Sequence, residues 1–574
     1  MRFLGKSFTL FLLLGVQVCL KPIALAQVPD AGALQQQFER QIPDPSRLPM
    51  PSLKERPKEK QKIQDQKKIE VKDFRFQGNT IFSDEKLHTV VQAWKNRSLS
   101  LSELEEVTNA ISDFYRIEDY VARVIVPEQD ATEGSILLQI IEVKIDKIYV
   151  LSKPIKYAAR FPPERVKQFI EYRQPEDDFL RVDQLQHSIM VVNELPGLNF
   201  EGVLEPSDVT DHVNFVGNIF DTPIYTGKAE VSTYGSRSTG IPQLIGNLNI
   251  NDYWGRGSLI SLNGIASEGS TYGRLSANRP FGYSGFGMGV SASYLDYRTV
   301  GIFDSNGARG NATTYGLNAY YPIVRGVQAN TSLMMGYDFK NYLNLTSIPY
   351  NVNSNYDIQN VFIGANGNFF DSLDALSYWS LTLTNGQMHI NDLSQRGSDQ
   401  STTQTEGNFK KLTYAYSRYQ KIDGDQTILL MSLMGQFANT NLNSAEQFYL
   451  GGPYGVRAYP VSQGGGSQGF IATLELQQKV PEIDSTLIAF FDMGQVQQYK
   501  FNWDGWQGLT GADNTYRLYG AGFGIRYAKQ NTQINAVLAW PIGSNPLLTN
   551  TGTQVNTDGR QLSPQGWLQL IHYF

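Results

Sequence analysis

Cysteine is nearly missing from this chain: the single one, Cys19, sits in the first stretch, preceded by Val18 where a lipidation signal wants a small residue. Around it lie a basic start (Arg2, Lys6), an apolar run from Phe8 to Leu20 and the small-x-small ending Ala24-Leu25-Ala26. Residues 1–26 therefore read as a secretory signal peptide cut before Gln27. A membrane anchor is the alternative, but the run falls short of the ~20 residues needed to span a bilayer as a helix. The mature chain is then expected to lack cysteine, which excludes disulfides, thiol catalysis and zinc–thiolate sites. Long apolar runs are absent from the rest of the sequence. So is any excess of positive charge: the formal net charge is -6 and the pI about 5.6, which provides no general pull toward nucleic acid.

Histidine is scarce as well. The five residues His88, His187, His212, His389 and His572 are scattered without an HExxH or other metal-ligand spacing, so they read as surface or packing residues and no metal site is expected. "GVSAS" and "GSRSTG" lack a strand-to-helix elbow for a serine nucleophile. "GGPYG" and "GGGSQG" lack the lysine and following helix of a phosphate cradle. The expectation is no catalytic residue, no cofactor and no enzyme.

What the sequence has in abundance is aromatic and turn-forming residues, with 31 Tyr, 30 Phe and 52 Gly. Together with export, these point to many strands and an outer-membrane barrel. Three regions are distinguishable. Residues 27–69 contain one candidate helix, "DAGALQQQFERQ", followed by a proline- and charge-rich linker; this is either a simple tether or a helix that docks elsewhere and plugs the barrel. Residues 70–144 and 145–221 repeat one pattern of strand, helix, helix, strand, strand, and read as two tandem α+β modules. In the first module "FSDEKLHTVVQAW" and "LSLSELEEVTNAISDFYRI" are expected helices, with Ser83 and Ser100 as N-caps.

Residues 222–574 alternate. In "LIGNLNIN", Leu244, Gly246, Leu248 and Ile250 share one face, and Ile245, Asn247, Asn249 and Asn251 the other. In "GFIATLELQQKV", Phe470, Ala472, Leu474, Leu476 and Val480 oppose Thr473, Glu475, Gln477 and Lys479. Apolar-out and polar-in is what a closed membrane barrel requires, since lipid satisfies no backbone hydrogen bond. At ~9 to 11 residues per strand plus turns, about sixteen antiparallel strands fit. The chain ends in "WLQLIHYF", with Phe574, Leu570 and Leu568 on one face; His572 stands where an aromatic or apolar residue is more usual.

These residues resemble a family, the two-partner secretion transporters of the haemolysin activation/secretion type. They belong to a superfamily that also holds barrel assembly factors. "STYGSRSTG" resembles its first barrel strand and turn, and "NRPFGYSGFGMGVSASYLDYR" its early hairpin. "GVRAYP", with Gly455, Val456, Arg457 and Tyr459, resembles the motif of the sixth outer loop. "FFDMG", with Phe490, Asp492 and Gly494, resembles that of the thirteenth strand. The resemblance implies that the α+β modules are polypeptide-transport-associated (POTRA) domains in the periplasm and that the barrel lies in the outer membrane of a diderm bacterium. It implies a large, β-helical secreted exoprotein as partner, with outer-membrane lipid around a monomeric barrel. It also implies that Arg457 meets Asp492 inside the lumen. The alternation agrees, because Asp492 shares the inward face with Phe490 and Gly494, and Glu475 on the preceding strand faces inward too. The family's usual glycine after the arginine is Ala458 here, which puts a positive φ at that position in doubt. An assembly factor that inserts barrels and a passive diffusion channel are the alternative functions.

Overall fold

The computed structural model describes residues 30–42, 68–152, 160–347, 352–507, 513–547 and 554–574. The expected signal peptide and most of the expected linker lie outside these residues. Among the described residues no helix is long and apolar enough to cross a membrane.

Each of the two α+β modules is a three-stranded sheet under two helices. In the first, Ser135–Glu142 is central, parallel to Asp73–Gln77 and antiparallel to Ala122–Ile125. In the second, His212–Asp221 is central, parallel to Lys144–Ser152 and antiparallel to Leu198–Pro206. The last strand of each repeat thus inserts between the earlier two, so the shared sequence pattern yields a shared topology. Helix Leu101–Ile117 buries Leu104, Val107, Ile111 and Tyr115, a stripe at helical spacing that roofs the sheet. The sequence reading places Ser100 at the N-cap of this helix, as the structure does, but misses the strand that precedes it. Arg97–Ser100 forms a strand paired with Lys68–Val71, because Ser98, Leu99 and Ser100 alternate and send Leu99 into the core. The helix then begins after Ser100, which caps it in a reciprocal box with Glu103. Ser83 holds the N-cap position of Asp84–Val91, but its hydroxyl makes no capping hydrogen bond.

Sixteen antiparallel strands close the barrel, from Tyr225–Ser232 to Gln565–Tyr573, which pair with each other. Strand lengths run from 8 residues in Tyr225–Ser232 to 19 in Val352–Phe370. Alternation sets the two surfaces: Leu474 is 48% exposed on the outer wall while its neighbour Glu475 is 5% exposed in the lumen. Leu568, Leu570 and Phe574 also face outward. His572 stays on the rim, with its Nδ1 3.0 Å from the Thr532 hydroxyl.

The second module is fastened to the turns at one end of the barrel. The Arg160 guanidinium donates to the carbonyls of Asn251, Gly197 and Thr222, at 2.9, 3.0 and 2.5 Å, which ties module, connection and barrel together. Glu194, after helix Val182–Asn193, pairs with Arg325 at the end of the sixth barrel strand, Arg309–Arg325. Phe169 meets Tyr283 edge-on at 5.4 Å. His187 is buried at this junction, and desolvation, with Arg173 and Arg325 nearby, holds its imidazole down at about 4. It is a packing residue.

Candidate functional site

Among the described residues, two inserts occupy the lumen. One is the sixth outer loop, residues 439–467, between the eleventh strand Thr427–Ala438 and the twelfth, Gln468–Val480. It folds inward, and Gly455 lets its tip turn tightly: a Cβ there would lie 2.0 Å from the Leu450 carbonyl oxygen. Val456 donates its amide to that carbonyl at 2.7 Å, and Val456 and Tyr459 are fully buried.

At the tip, Arg457 lies over the ring of Phe490, 3.4 Å from its centroid. Its Nε and Nη2 donate to the two oxygens of Asp492, both at 2.8 Å, and its backbone amide donates to Asp492 at 3.1 Å. Nη1 donates to Glu475 at 2.6 Å. Asp492 sits on the thirteenth strand, Ser485–Gln497, directly opposite Thr473, whose hydroxyl donates to it at 2.9 Å. The fork geometry of guanidinium and carboxylate makes this a directional lock. Burial strengthens it, since the side chains of Arg457 and Asp492 are 12% and 0% exposed. Ala458 keeps a negative φ, so the position does not need glycine. Space is made across from it: a Cβ on Gly520, opposite Asp492, would fall 2.6 Å from that of Ala458.

All the residues singled out from the sequence thus meet around Arg457. Gly494 completes the set, for its missing side chain leaves room for Leu450 and Val456. Sequence reasoning missed a second charge cluster at the base of the loop. Glu446, 1% exposed, accepts from Lys340 at 2.8 Å and Asn360 at 2.9 Å and pairs with Lys411 at 2.5 Å. It also missed Trp567, whose indole donates to the Arg457 carbonyl at 2.8 Å and ties the tip to the last strand.

The other insert is the helix Ala31–Glu39, capped by Asp30. Ala31, Leu34 and Phe38 pack on luminal Tyr272, Tyr297 and Tyr342. Ala31 donates to Asn344 at 2.8 Å, Gln35 to Thr314 at 2.5 Å and Gln37 to the Tyr234 carbonyl at 3.1 Å. On its other side, Gln36 donates to the Ser444 carbonyl at 3.3 Å and the Asp30 carboxylate accepts from the Ser444 hydroxyl. Helix and loop therefore touch, and Gly32 permits it: a Cβ there would lie 2.6 Å from Ala445.

A family model described as haemolysin secretion/activation protein ShlB/FhaC/HecB matches residues 221–527, more than half of the chain. The chain belongs to this family. A second model, the ShlB-type POTRA domain, matches residues 69–143, in the first periplasmic module. Among relatives, the heme/hemopexin transporter protein HuxB of Haemophilus influenzae is 24% identical over 521 residues, 88% of this chain and 87% of that protein. The outer membrane transporter CdiB of Dickeya dadantii is 22% identical over 491 residues, 82% of each. Among solved structures, CdiB from Escherichia coli covers 96% of this chain and 100% of its own at 19% identity, with a TM-score of 0.70. BamA from Haemophilus ducreyi lacking POTRA domains 1–3 covers 88% of this chain and 100% of its own at 14% identity, with a TM-score of 0.50. As a ShlB/FhaC/HecB protein, the chain is an outer-membrane transporter of two-partner secretion, with its POTRA region in the periplasm.

Proposed function

We propose that this transporter captures one large exoprotein on its periplasmic modules and passes it unfolded through the barrel once helix Ala31–Glu39 has left the lumen. The observation that carries this reading is the helix itself. It sits among luminal side chains on neutral hydrogen bonds, apart from Asp30 on Ser444, and no ion pair joins it to the barrel among the described residues. A seat of that kind can be vacated. Capture is proposed at the open edge Leu198–Pro206 of the second module, where Val203 and Leu204 are exposed and an extended client can add a strand. The lock of Arg457, Asp492 and Glu475 keeps the sixth loop in place during passage. The monomeric protein does its work by positioning and carries out no catalysis, and its client is β-helical.

The test is secretion of a two-partner exoprotein co-expressed with the full chain in an outer-membrane host. Secretion is expected from the wild type. Val203→Asp with Leu204→Asp should lower both secretion and co-purification of the client, since edge charges oppose strand pairing. Undiminished co-purification would move recognition elsewhere.

A further inference from the structure

On the outer wall, at the periplasmic end of the third to sixth strands, lies a groove of about 710 Å³. Its floor follows from the register. Ile260, Ala277, Val290 and Leu317 are cross-strand neighbours on one outward row, and Ala277 is the small member between branched ones. The next row toward the periplasm changes character, with Arg279 beside Met288. Arg279 lies over the ring of Phe281 at 5.5 Å, and Arg256 and Trp254 close the groove from the turn between the second and third strands.

Two arginines on a lipid-facing rim require an explanation. Charge on the lipid face is costly at mid-membrane but tolerated at the interface, where tryptophan also concentrates. Their place at the strand ends fits that level. Neither guanidinium has a carboxylate within ion-pair distance among the described residues, although the ion pairs elsewhere in the chain are many. Arg256 is also presented by a locked turn, because Asp252 accepts from the amides of Arg256 and Gly257, both at 2.6 Å. Apolar floor, cationic rim and aromatic edge match the parts of one amphiphile.

We propose that the groove binds an anionic glycerophospholipid of the periplasmic leaflet. One acyl chain lies over Ala277 between Ile260 and Val290, and the phosphate sits between Arg256 and Arg279. The same turn carries the second module: a Cβ on Gly255 would fall 2.4 Å from the Arg160 carbonyl oxygen, and one on Gly257 would fall 3.0 Å from Leu195. A bound headgroup therefore braces the joint between module and barrel from the membrane side.

The test uses the purified full chain, titrated with phosphatidylglycerol or phosphatidylcholine of matched acyl chains and examined by native mass spectrometry. One phosphatidylglycerol should be retained at about tenfold lower concentration than phosphatidylcholine, as expected for charge-assisted hydrogen bonds. Arg256→Gln with Arg279→Gln should abolish the preference while the barrel stays heat-modifiable. Ala277→Trp keeps the charges and should weaken retention of both lipids. Equal retention of the two lipids by the wild type overturns the proposal, as does a preference that survives the arginine substitutions. Retention of both lipids at wild-type level by Ala277→Trp overturns the acyl seat.

Discussion

The two inserts in the lumen are held in different ways. The sixth loop is pinned by buried charge at both ends, Glu446 between two lysines at its base and Arg457 between two carboxylates at its tip. The helix Ala31–Glu39 relies on buried apolar side chains and single hydrogen bonds. Losing one partner of a buried pair leaves an uncompensated charge, at a cost of about 3 to 5 kcal/mol, whereas a neutral hydrogen bond contributes about 1 kcal/mol net. The loop is therefore held by charge that cannot be left unpaired, whereas the proposed departure of the helix strands no ion pair among the described residues.

The largest effect is expected from breaking the tip. Arg457→Ala or Asp492→Ala should leave a folded, heat-modifiable barrel, since the closed sheet keeps its own hydrogen bonds, and should reduce secretion sharply. A double-mutant cycle at equal membrane levels checks the pairing, because residues in contact give non-additive losses. Arg457→Lys should not restore function, because one ammonium cannot replace three guanidinium nitrogens each bonded to a carboxylate. A smaller loss, several-fold rather than complete, is expected from Glu446→Gln, which leaves Lys340 and Lys411 facing each other while the tip remains locked. Adding Lys340→Met should recover part of it, and the same secretion assay reads both. The mildest change is Gly32→Val. It introduces a Cβ against Ala445, so the helix should leave its seat, raising single-channel conductance in planar bilayers with secretion retained. Unchanged conductance would mean that the helix does not obstruct the pore.

The tip was legible in the sequence because both halves of the lock lie in short motifs and strand alternation fixes the direction of Asp492 and Glu475. The base was not. Lys340 and Glu446 are 106 positions apart, and neither belongs to a pattern that marks it as inward and paired. The periplasmic modules were legible through their repeat, down to the Ser100 cap. The strand Arg97–Ser100 was missed because the helix pattern of Leu101–Ile117 begins immediately after it, and only pairing with Lys68–Val71 decides between the two. The seat of the helix was open in the sequence, since Gly32 acquires meaning only when Ala445 is beside it.

In the proposed cycle the helix leaves its seat without leaving the chain. It precedes the periplasmic modules in the chain, and its contacts with Tyr234, Asn344 and Ser444 lie toward the outer end of the lumen. A displaced helix cannot diffuse away. Its recapture is intramolecular, at an effective concentration in the millimolar range for a short connection, and needs no second molecule. On the proposed reading, resealing then waits only for the exoprotein to clear the lumen.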